Sequence, residues 1–492
     1  METLNLQVKP QYKSNLPIKV MQFGEGNFLR GFIDWMVGKL NEQNLFNGRI
    51  LALQPTPRGR VVPKLLTQDC LYTTVLHGVV NGKDTEQIEI VNSIAKAKNP
   101  YTQWEEILED ACSADLQFIF SNTTEAGITY IKEDFLSKEA PLSFPAKLTA
   151  VLYKRFMHYK GQKGSGLVIM PCELIDDNGT KLKNIVLQHA NDADLGADFV
   201  SYLNNECIFL NTLVDRVVSG YPTNAEKYFE KIGYKDELMT CGEIFHFMAI
   251  EGDDKVKELL PFAQAGLNVV VDKDITKYRL RKVRILNGGH TSNVPAAFLS
   301  GLETVDEMMF DEVTGKFAHE VIYNDIIPAV NLDKAMLTSF ADDVVNRFKD
   351  KSMHHKLASI LMNCTSKIKA RVLSTVKDAR AKGMLPNRLC FSLAAYLLLY
   401  KDTAGVPVQV KRANGKSGEF VDDEHAVSVL VKAWSLYQGT QDSAVAVADA
   451  VFSDTSLWGE NIASDTPLMN EVGKLLHQAI STGVTATMRT LI

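Results

Sequence analysis

The chain has 492 residues, 46% of them apolar and 23% charged, and a formal net charge of −6. That length accommodates two or three globular domains, and the mild acidity excludes the basic footprint of a nucleic-acid-binding protein. The seven cysteines are scattered and never spaced Cys-x-x-Cys, which argues against a disulfide scaffold and against structural zinc. No basic-then-apolar leader opens the sequence, and its longest apolar run, Leu389 to Tyr400, is too short to span a bilayer, so a cytoplasmic location is expected.

The apolar run Ile18–Phe23 opens into Gly24-Glu25-Gly26 and then into an amphipathic stretch with Phe32, Ile33, Trp35, Met36 and Leu40. The order is strand, tight turn, helix. Such a turn can hold a pyrophosphate: Gly24 permits the turn, Gly26 lets the backbone approach the phosphates, and the helix start supplies the positive end of a dipole. Gln22, Phe23, Gly24, Glu25, Gly26, Asn27, Phe28, Leu29 and Arg30 are therefore expected at a dinucleotide cofactor. Leu29 stands where the third glycine of Gly-x-Gly-x-x-Gly belongs, so an ordinary strand-to-helix turn remains the alternative.

A second strand, Arg49 to Gln54, ends without the acid that usually grips a ribose 2′-hydroxyl. It runs instead into a loop with Arg58 and Arg60, which either face a 2′-phosphate or are solvated, and the choice between NAD and NADP stays open. A third strand, Leu116 to Ser121, empties into Asn122, Thr123 and Thr124, expected at the cofactor because ligands bind beyond the carboxyl ends of parallel strands. A strand over Leu167–Met170 leads to Glu173, placed near the substrate, while Asp176 to Gly179 reads only as a turn. With Leu267–Val271 as a last strand, the alternation predicts an α/β, Rossmann-like domain over residues 1–275 with a mostly parallel sheet.

From 276 to 492 the chain reads as a mostly α-helical domain, with helices over 276–287, 291–302, 304–327, 335–348, 353–380, 387–401, 423–437, 441–452 and 467–481. Lys282, Asn287 and His290 fall at its start. On an ideal helix Asn287 lies about 140° and His290 about 80° round from Lys282, so the three share one side. Arg281 and Arg284 beside the lysine, together with partial burial, would lower its pKa toward the range of a proton donor, and the amide and imidazole would hold an oxygen that gains charge. A solvated basic face with a capping Asn287 before Gly288-Gly289 is the plain alternative. An interdomain cleft is where a substrate site is expected.

Four ordered motifs carry a resemblance: Gly24 to Arg30, Thr124 to Gly127, Val214-Asp215-Arg216, and the spacing Lys282-x4-Asn287-x2-His290. Over roughly residues 17 to 485 the chain resembles the long-chain polyol dehydrogenases, the family that includes mannitol 2-dehydrogenase. The wording of Gln22–Arg30, Ser121–Gly127 and Pro171–Gly179 is most similar to its altronate oxidoreductase branch, also called tagaturonate reductases. The resemblance implies NAD-linked, metal-independent hydride transfer on a hexuronate or aldonate, in hexuronate breakdown, with Lys282 as acid/base. It also implies an active-site role for Asp215, whose alternative is a structural pair with Arg216, and for Lys367 in Cys364-Thr365-Ser366-Lys367.

Departures from the family pattern point to the substrate. Leu174 stands where the family has an oxygen-holding asparagine, His355 where mannitol dehydrogenases carry an acid, and Ser359 where they carry an arginine. A uronate differs from a hexitol by a carboxylate, so His355, Lys367 and Arg371, which lies one turn beyond Lys367, are expected to bind it. Metal binding by His354 and His355 is not expected, since neighbours on a helix point apart. The nearest alternative activities are D-fructuronate reductase and mannitol dehydrogenase, and the non-enzyme alternative is a nucleotide-sensing relative without turnover.

Overall fold

Strands recur along the chain, the central ones formed by short apolar runs, as burial on both faces of a sheet favours. In chain order they are β1 (Ile18–Phe23), β2 (Arg49–Leu53), β3 (Tyr72–Val80), β4 (Lys83–Val91), β5 (Ile94–Lys98), β6 (Phe118–Ser121), β7 (Val168–Pro171), β8 (Ile208–Phe209), β9 (Thr212–Asp215), β10 (Val218–Gly220), β11 (Thr240–Glu243), β12 (Phe247–Glu251), β13 (Val269–Asp272), β14 (Val408–Lys411) and β15 (Ser417–Phe420). The structure, a computed structural model, describes residues 1–80 and 82–492, apart from the side chain of Glu125.

Six strands make one parallel sheet in the order β5-β2-β1-β6-β7-β8. Successive residues of the central strands alternate between two cores. Val20, Ile50, Phe118 and Phe120 pack with Phe32, Ile33 and Met36 of the first helix, whereas Met21, Phe23, Leu51 and Ile119 pack with Leu148, Val151 and Leu152 of the helix Phe144–Tyr159. Helices on both faces are what a sheet of continuous apolar strands requires. The expected mostly parallel, Rossmann-like sheet is therefore present.

The strand expected at 267–271 appears as β13, but it does not extend that sheet. It pairs in parallel with β12, which runs antiparallel to β9, in a separate three-stranded sheet. A four-stranded sheet, β10-β11-β3-β4, also went unforeseen. β4 (Lys-Asp-Thr-Glu-Gln-Ile-Glu-Ile-Val) is polar and largely exposed, so no apolar run marks it.

The chain divides into two units, Met1–Gly78 with Thr85–Ile275, and Val79–Asp84 with Thr276–Ile492. The second unit is mostly helical, with the hairpin β14–β15 as an addition that its residues between expected helices did not announce. The break expected at Gly288-Gly289 does not occur: Thr276–Arg281, a π-helical stretch Lys282–Asn287 and Gly288–Leu299 follow without interruption. Both glycines are buried against Ile322, Phe348 and the backbone of Arg371, and packing supplies what their propensity lacks. The expected helix 304–327 is divided at Asp311, whose carboxylate caps Glu312–Glu320 through Val313 N at 3.0 Å and Thr314 N at 2.9 Å. The expected helix 353–380 starts only at Leu357 and is broken at Asn363, so His354, at φ 42°, and His355 lie on a loop. Among the described residues no helix is long and apolar enough to cross a membrane.

One turn read as nothing more than a turn proves to be a buried hub. Asn178 donates from Nδ2 to Pro171 O at 3.0 Å and Glu173 O at 3.1 Å, while its Oδ1 accepts from Thr212 N and Gly179 N, both at 2.9 Å. It thereby ties the carboxyl end of β7 to β9. Asn178→Ala leaves these main-chain groups unsatisfied and is expected to destabilise the protein by at least about 2 kcal/mol. A urea-unfolding midpoint equal to that of the wild type would contradict this role.

Candidate functional site

At the carboxyl end of β1 the backbone of Gly24 has φ 125°, and a Cβ there would lie 3.0 Å from Leu29 Cδ1 and 3.1 Å from Asn122 O. Only glycine fits. Gly26 is the opposite case: it is exposed, and nothing lies within 4 Å of where its Cβ would be. The helix begins immediately after it at Asn27, with Arg30 N bonding to Gly26 O at 3.1 Å. Open space over Gly26 in front of the first amides of a helix fits the pyrophosphate of a dinucleotide.

The neighbours of this turn divide into those that face outward and those that build it. Gly26 and Asn27 are exposed and Phe28 is half-buried, whereas Phe23 and Leu29 belong to the cores. Gln22 is buried and donates to Gly24 O at 3.0 Å. The Arg30 guanidinium, expected at the cofactor, is buried and spent on the protein. It donates to Glu25 O at 2.5 Å, Asn27 Oδ1 at 2.6 Å, Thr240 Oγ1 at 3.2 Å and Leu238 O at 3.5 Å. Its part is to clamp the turn from beneath. Burial pushes the Glu25 carboxyl up to about 7, against the pull of a backbone hydrogen bond and of Arg30.

The loop after β6 is fastened by the other misread residue. Glu173, expected to touch substrate, is buried with Oε1 accepting from Thr123 N at 2.9 Å and Thr123 Oγ1 at 3.0 Å, and Oε2 from Ser121 Oγ at 3.0 Å. Both oxygens are engaged, so Glu173 shapes the loop. A Cβ on Gly127 would meet Thr123 Oγ1 at 2.0 Å, and Asn122 Nδ2 donates to Cys172 O at 2.8 Å. Thr124, exposed at the tip, holds φ 82°, a strain of roughly 1–3 kcal/mol that such fastening sustains. Asp215 is buried at the carboxyl end of β9. Arg216 bonds to carbonyls of Glu243 (2.8 Å), Gly31 (2.7 Å) and Ile244 (3.3 Å) and lies over the Trp35 ring at 4.2 Å.

In the second unit Lys282 and Asn287 are half-buried at the two ends of the π-helical stretch, where i→i+5 bonding widens the turn and shifts the angles of an ideal helix. Arg284 is turned onto the helix Ser374–Ala381, bonding to Thr375 Oγ1 at 2.9 Å and Asp378 Oδ2 at 2.8 Å. Its charge is thus balanced by Asp378. Arg281 lies over the Phe340 ring at 4.2 Å.

His290 stacks on Phe348, with ring centroids 4.0 Å apart, and meets the edge of His355 at 5.3 Å. Burial holds its pKa well below the ordinary value, and the charges of His355, Arg347, Arg371 and Lys367 lower it further. It is therefore a neutral imidazole, able to donate one hydrogen bond, among cations. His355, although on an exposed loop, is lowered by desolvation and then by Lys367. The Lys367 ammonium donates to Ile360 O at 2.8 Å and is lowered by desolvation and Arg371. Arg371 reaches Thr291 Oγ1 at 3.3 Å, and desolvation lowers it too. The structure thus brings the imidazoles of His290 and His355 together with the cationic Lys367 and Arg371. Thr291, Phe348 and Arg347 escaped the sequence reading because a helical pattern carries no sign of which neighbours meet.

Known proteins resemble this chain over nearly its whole length. The model of the mannitol dehydrogenase Rossmann domain matches residues 18–264, and that of the mannitol dehydrogenase C-terminal domain matches residues 274–478. An altronate oxidoreductase of Halalkalibacterium halodurans is 41% identical over 96% of this chain and 93% of its own length. Another, from Bacillus subtilis, is 38% identical over 98% and 97%. Among solved structures, a D-sorbitol dehydrogenase in substrate-free form is similar with a TM-score of 0.79 at 22% identity, over 99% of this chain and all of that one. A mannitol 2-dehydrogenase of Pseudomonas fluorescens, in a ternary complex with NAD and D-mannitol, is similar with a TM-score of 0.67 at 18% identity, over 99% of each chain. These two likenesses speak for the fold. With both halves matched in order, the chain belongs to the mannitol dehydrogenase family, oxidoreductases of polyols and sugar acids.

Proposed function

We propose that the protein interconverts D-altronate and D-tagaturonate with NAD. The observation that carries this reading is the cluster of Arg371, Lys367 and His355 around His290, since cationic donors gain more from a carboxylate than from the neutral hydroxyls of a hexitol. The activity named for the relatives at 41% and 38% identity supports it. A place in hexuronate breakdown and a cytoplasmic location follow from the same reading.

The nicotinamide dinucleotide, when bound, supplies the hydride and takes it back. Gly24 and Gly26 shape its pyrophosphate seat, and Asn122 to Thr124 bound it on a loop held by Glu173. Lys282 donates a proton to the oxygen formed by reduction and recovers it on oxidation, a step for which no metal is needed. Asn287 and His290 hydrogen-bond that oxygen and orient it. Arg371 is suited to the carboxylate because its planar fork can give two parallel bonds, with Lys367 and His355 adding point donors. Asp215 is assigned to the sugar hydroxyls.

The reading is tested by tagaturonate, fructuronate and fructose, each with NADH and NADPH. Tagaturonate with NADH is expected to give the highest kcat/KM. In Arg371→Ala and His355→Ala the tagaturonate-to-fructose ratio is expected to fall by about one to two decades, the value of a lost bond to a charged group. NADH bound without oxidation by any of the three would favour a sensor, and preference for fructuronate would favour its reductase. Lys282→Ala is expected to lower kcat by roughly 10²–10⁴ with NADH affinity near normal; retention of most turnover would remove it as the proton donor. Gly26→Val fills open space, so NADH affinity is expected to collapse while the melting temperature stays close to that of the wild type. Normal NADH binding by this variant would refute the phosphate seat.

A further inference from the structure

The helix that carries Lys367 and Arg371 begins at Cys364 after a left-handed Asn363, φ 54°, with no side-chain cap from that residue. The first amides of a helix need partners. Here they come from the loop after β15, more than fifty residues along the chain. Asp422 Oδ2 accepts from Thr365 N at 3.0 Å, Thr365 Oγ1 at 2.7 Å and Tyr400 OH at 2.5 Å, and its Oδ1 accepts from Asp423 N at 2.9 Å. Asn363 N bonds to Val421 O at 2.9 Å, and Tyr396 OH meets Thr365 Oγ1 at 2.8 Å. Asp422, Thr365, Tyr396 and Tyr400 are all buried.

We propose that Asp422 is a positioning residue for the substrate carboxylate: from the loop after β15 it holds the first turn of the helix that presents Lys367. The inference rests on the reading that Lys367 and Arg371 bind that carboxylate. A buried carboxylate that receives four donors is fixed in place, and Thr365, which provides two of them, stands two residues before Lys367. Charge adds to geometry. The Lys367 amine is pushed toward neutrality by desolvation and by Arg371, and drawn back toward the cation by Cys364 and by Asp422; His355 faces it as a further group, itself lowered by Lys367. Without the Asp422 charge, Lys367 loses its proton at lower pH.

The test uses Asp422→Asn in the intact chain. The expected result is a KM for tagaturonate raised roughly tenfold, as for one weakened charge-assisted contact, with kcat and the kinetics of fructose little changed. The alkaline limb of kcat/KM for tagaturonate is expected to move to lower pH. Such a shift does not follow from a purely structural role. A folded variant with the KM and pH profile of the wild type overturns the proposal. If Asp422→Asn does not fold, Thr365→Val and Thr365→Ser decide: the valine is expected to raise KM and the serine to restore it, and a valine variant equal to the wild type overturns the proposal. Acylation of Lys367 as a function of pH, mapped by peptide mass, separates this inference from the functional reading. Were the wild type inactive on tagaturonate, that reading would fall. An earlier onset of Lys367 acylation in Asp422→Asn would still sustain the role of Asp422, and identical onsets would end it.

Discussion

A charged side chain can be buried only where its hydrogen bonds are filled, and this constraint governs the loops of the protein. Arg30 is sealed beneath the glycine turn and gives its donors to Glu25 O, Asn27, Thr240 and Leu238. Glu173 is sealed behind the loop after β6 and takes three donors from Ser121 and Thr123. Asp422 does the same for the start of the Lys367 helix. In each case loss of the charged group would leave several buried partners without a bond, so the loop has one arrangement and a strong penalty for leaving it. Rigid loops at strand and helix ends are what a site needs if reacting groups are to be held to fractions of an ångström.

The second unit uses charge in the other direction. Desolvation depresses His290, His355, Lys367 and Arg371, and neighbouring cationic groups depress the first three further. An anion among them would relieve that repulsion, so the cluster gains most from the ligand it is proposed to hold. His290 plays a distinct part within it. Stacked on Phe348 and well below its ordinary pKa, it remains an uncharged donor that does not compete for the carboxylate.

Wider helical turns recur next to these groups. π-Helical stretches cover Arg30–Asp34, Lys282–Asn287 and Ile368–Leu373, directly after the glycine turn, at the proposed proton donor and directly after Lys367. Such turns bond less well than α-helix and commonly accompany functional sites, where the extra residue redirects a side chain. A further stretch, Val321–Ile326, contributes Ile322 to the packing of Gly289 and bears none of the proposed site residues.

Patterns that depend on neighbours in the chain were legible in the sequence. The parallel strands β1, β2, β6 and β7 are apolar runs and the glycine turn is a local motif, so the α/β and helical halves were legible, and the Lys282, Asn287 and His290 spacing, read along one helix, is what puts these three forward as site residues. Tertiary structure alone decided the rest, because it depends on partners far apart in sequence. Arg30 and Glu173 look like ligand contacts until Thr240 and Thr123 are seen to occupy them. Arg284 looks like a charge beside Lys282 until Asp378 takes it. Gly288-Gly289 looks like a helix stop until burial against Ile322, Phe348 and the Arg371 backbone carries the helix through. β4 and the hairpin β14–β15 carry no continuous apolar run, and another strand pairs with each of them. Local order follows from the covalent neighbours; the destination of each buried hydrogen bond follows only from the fold.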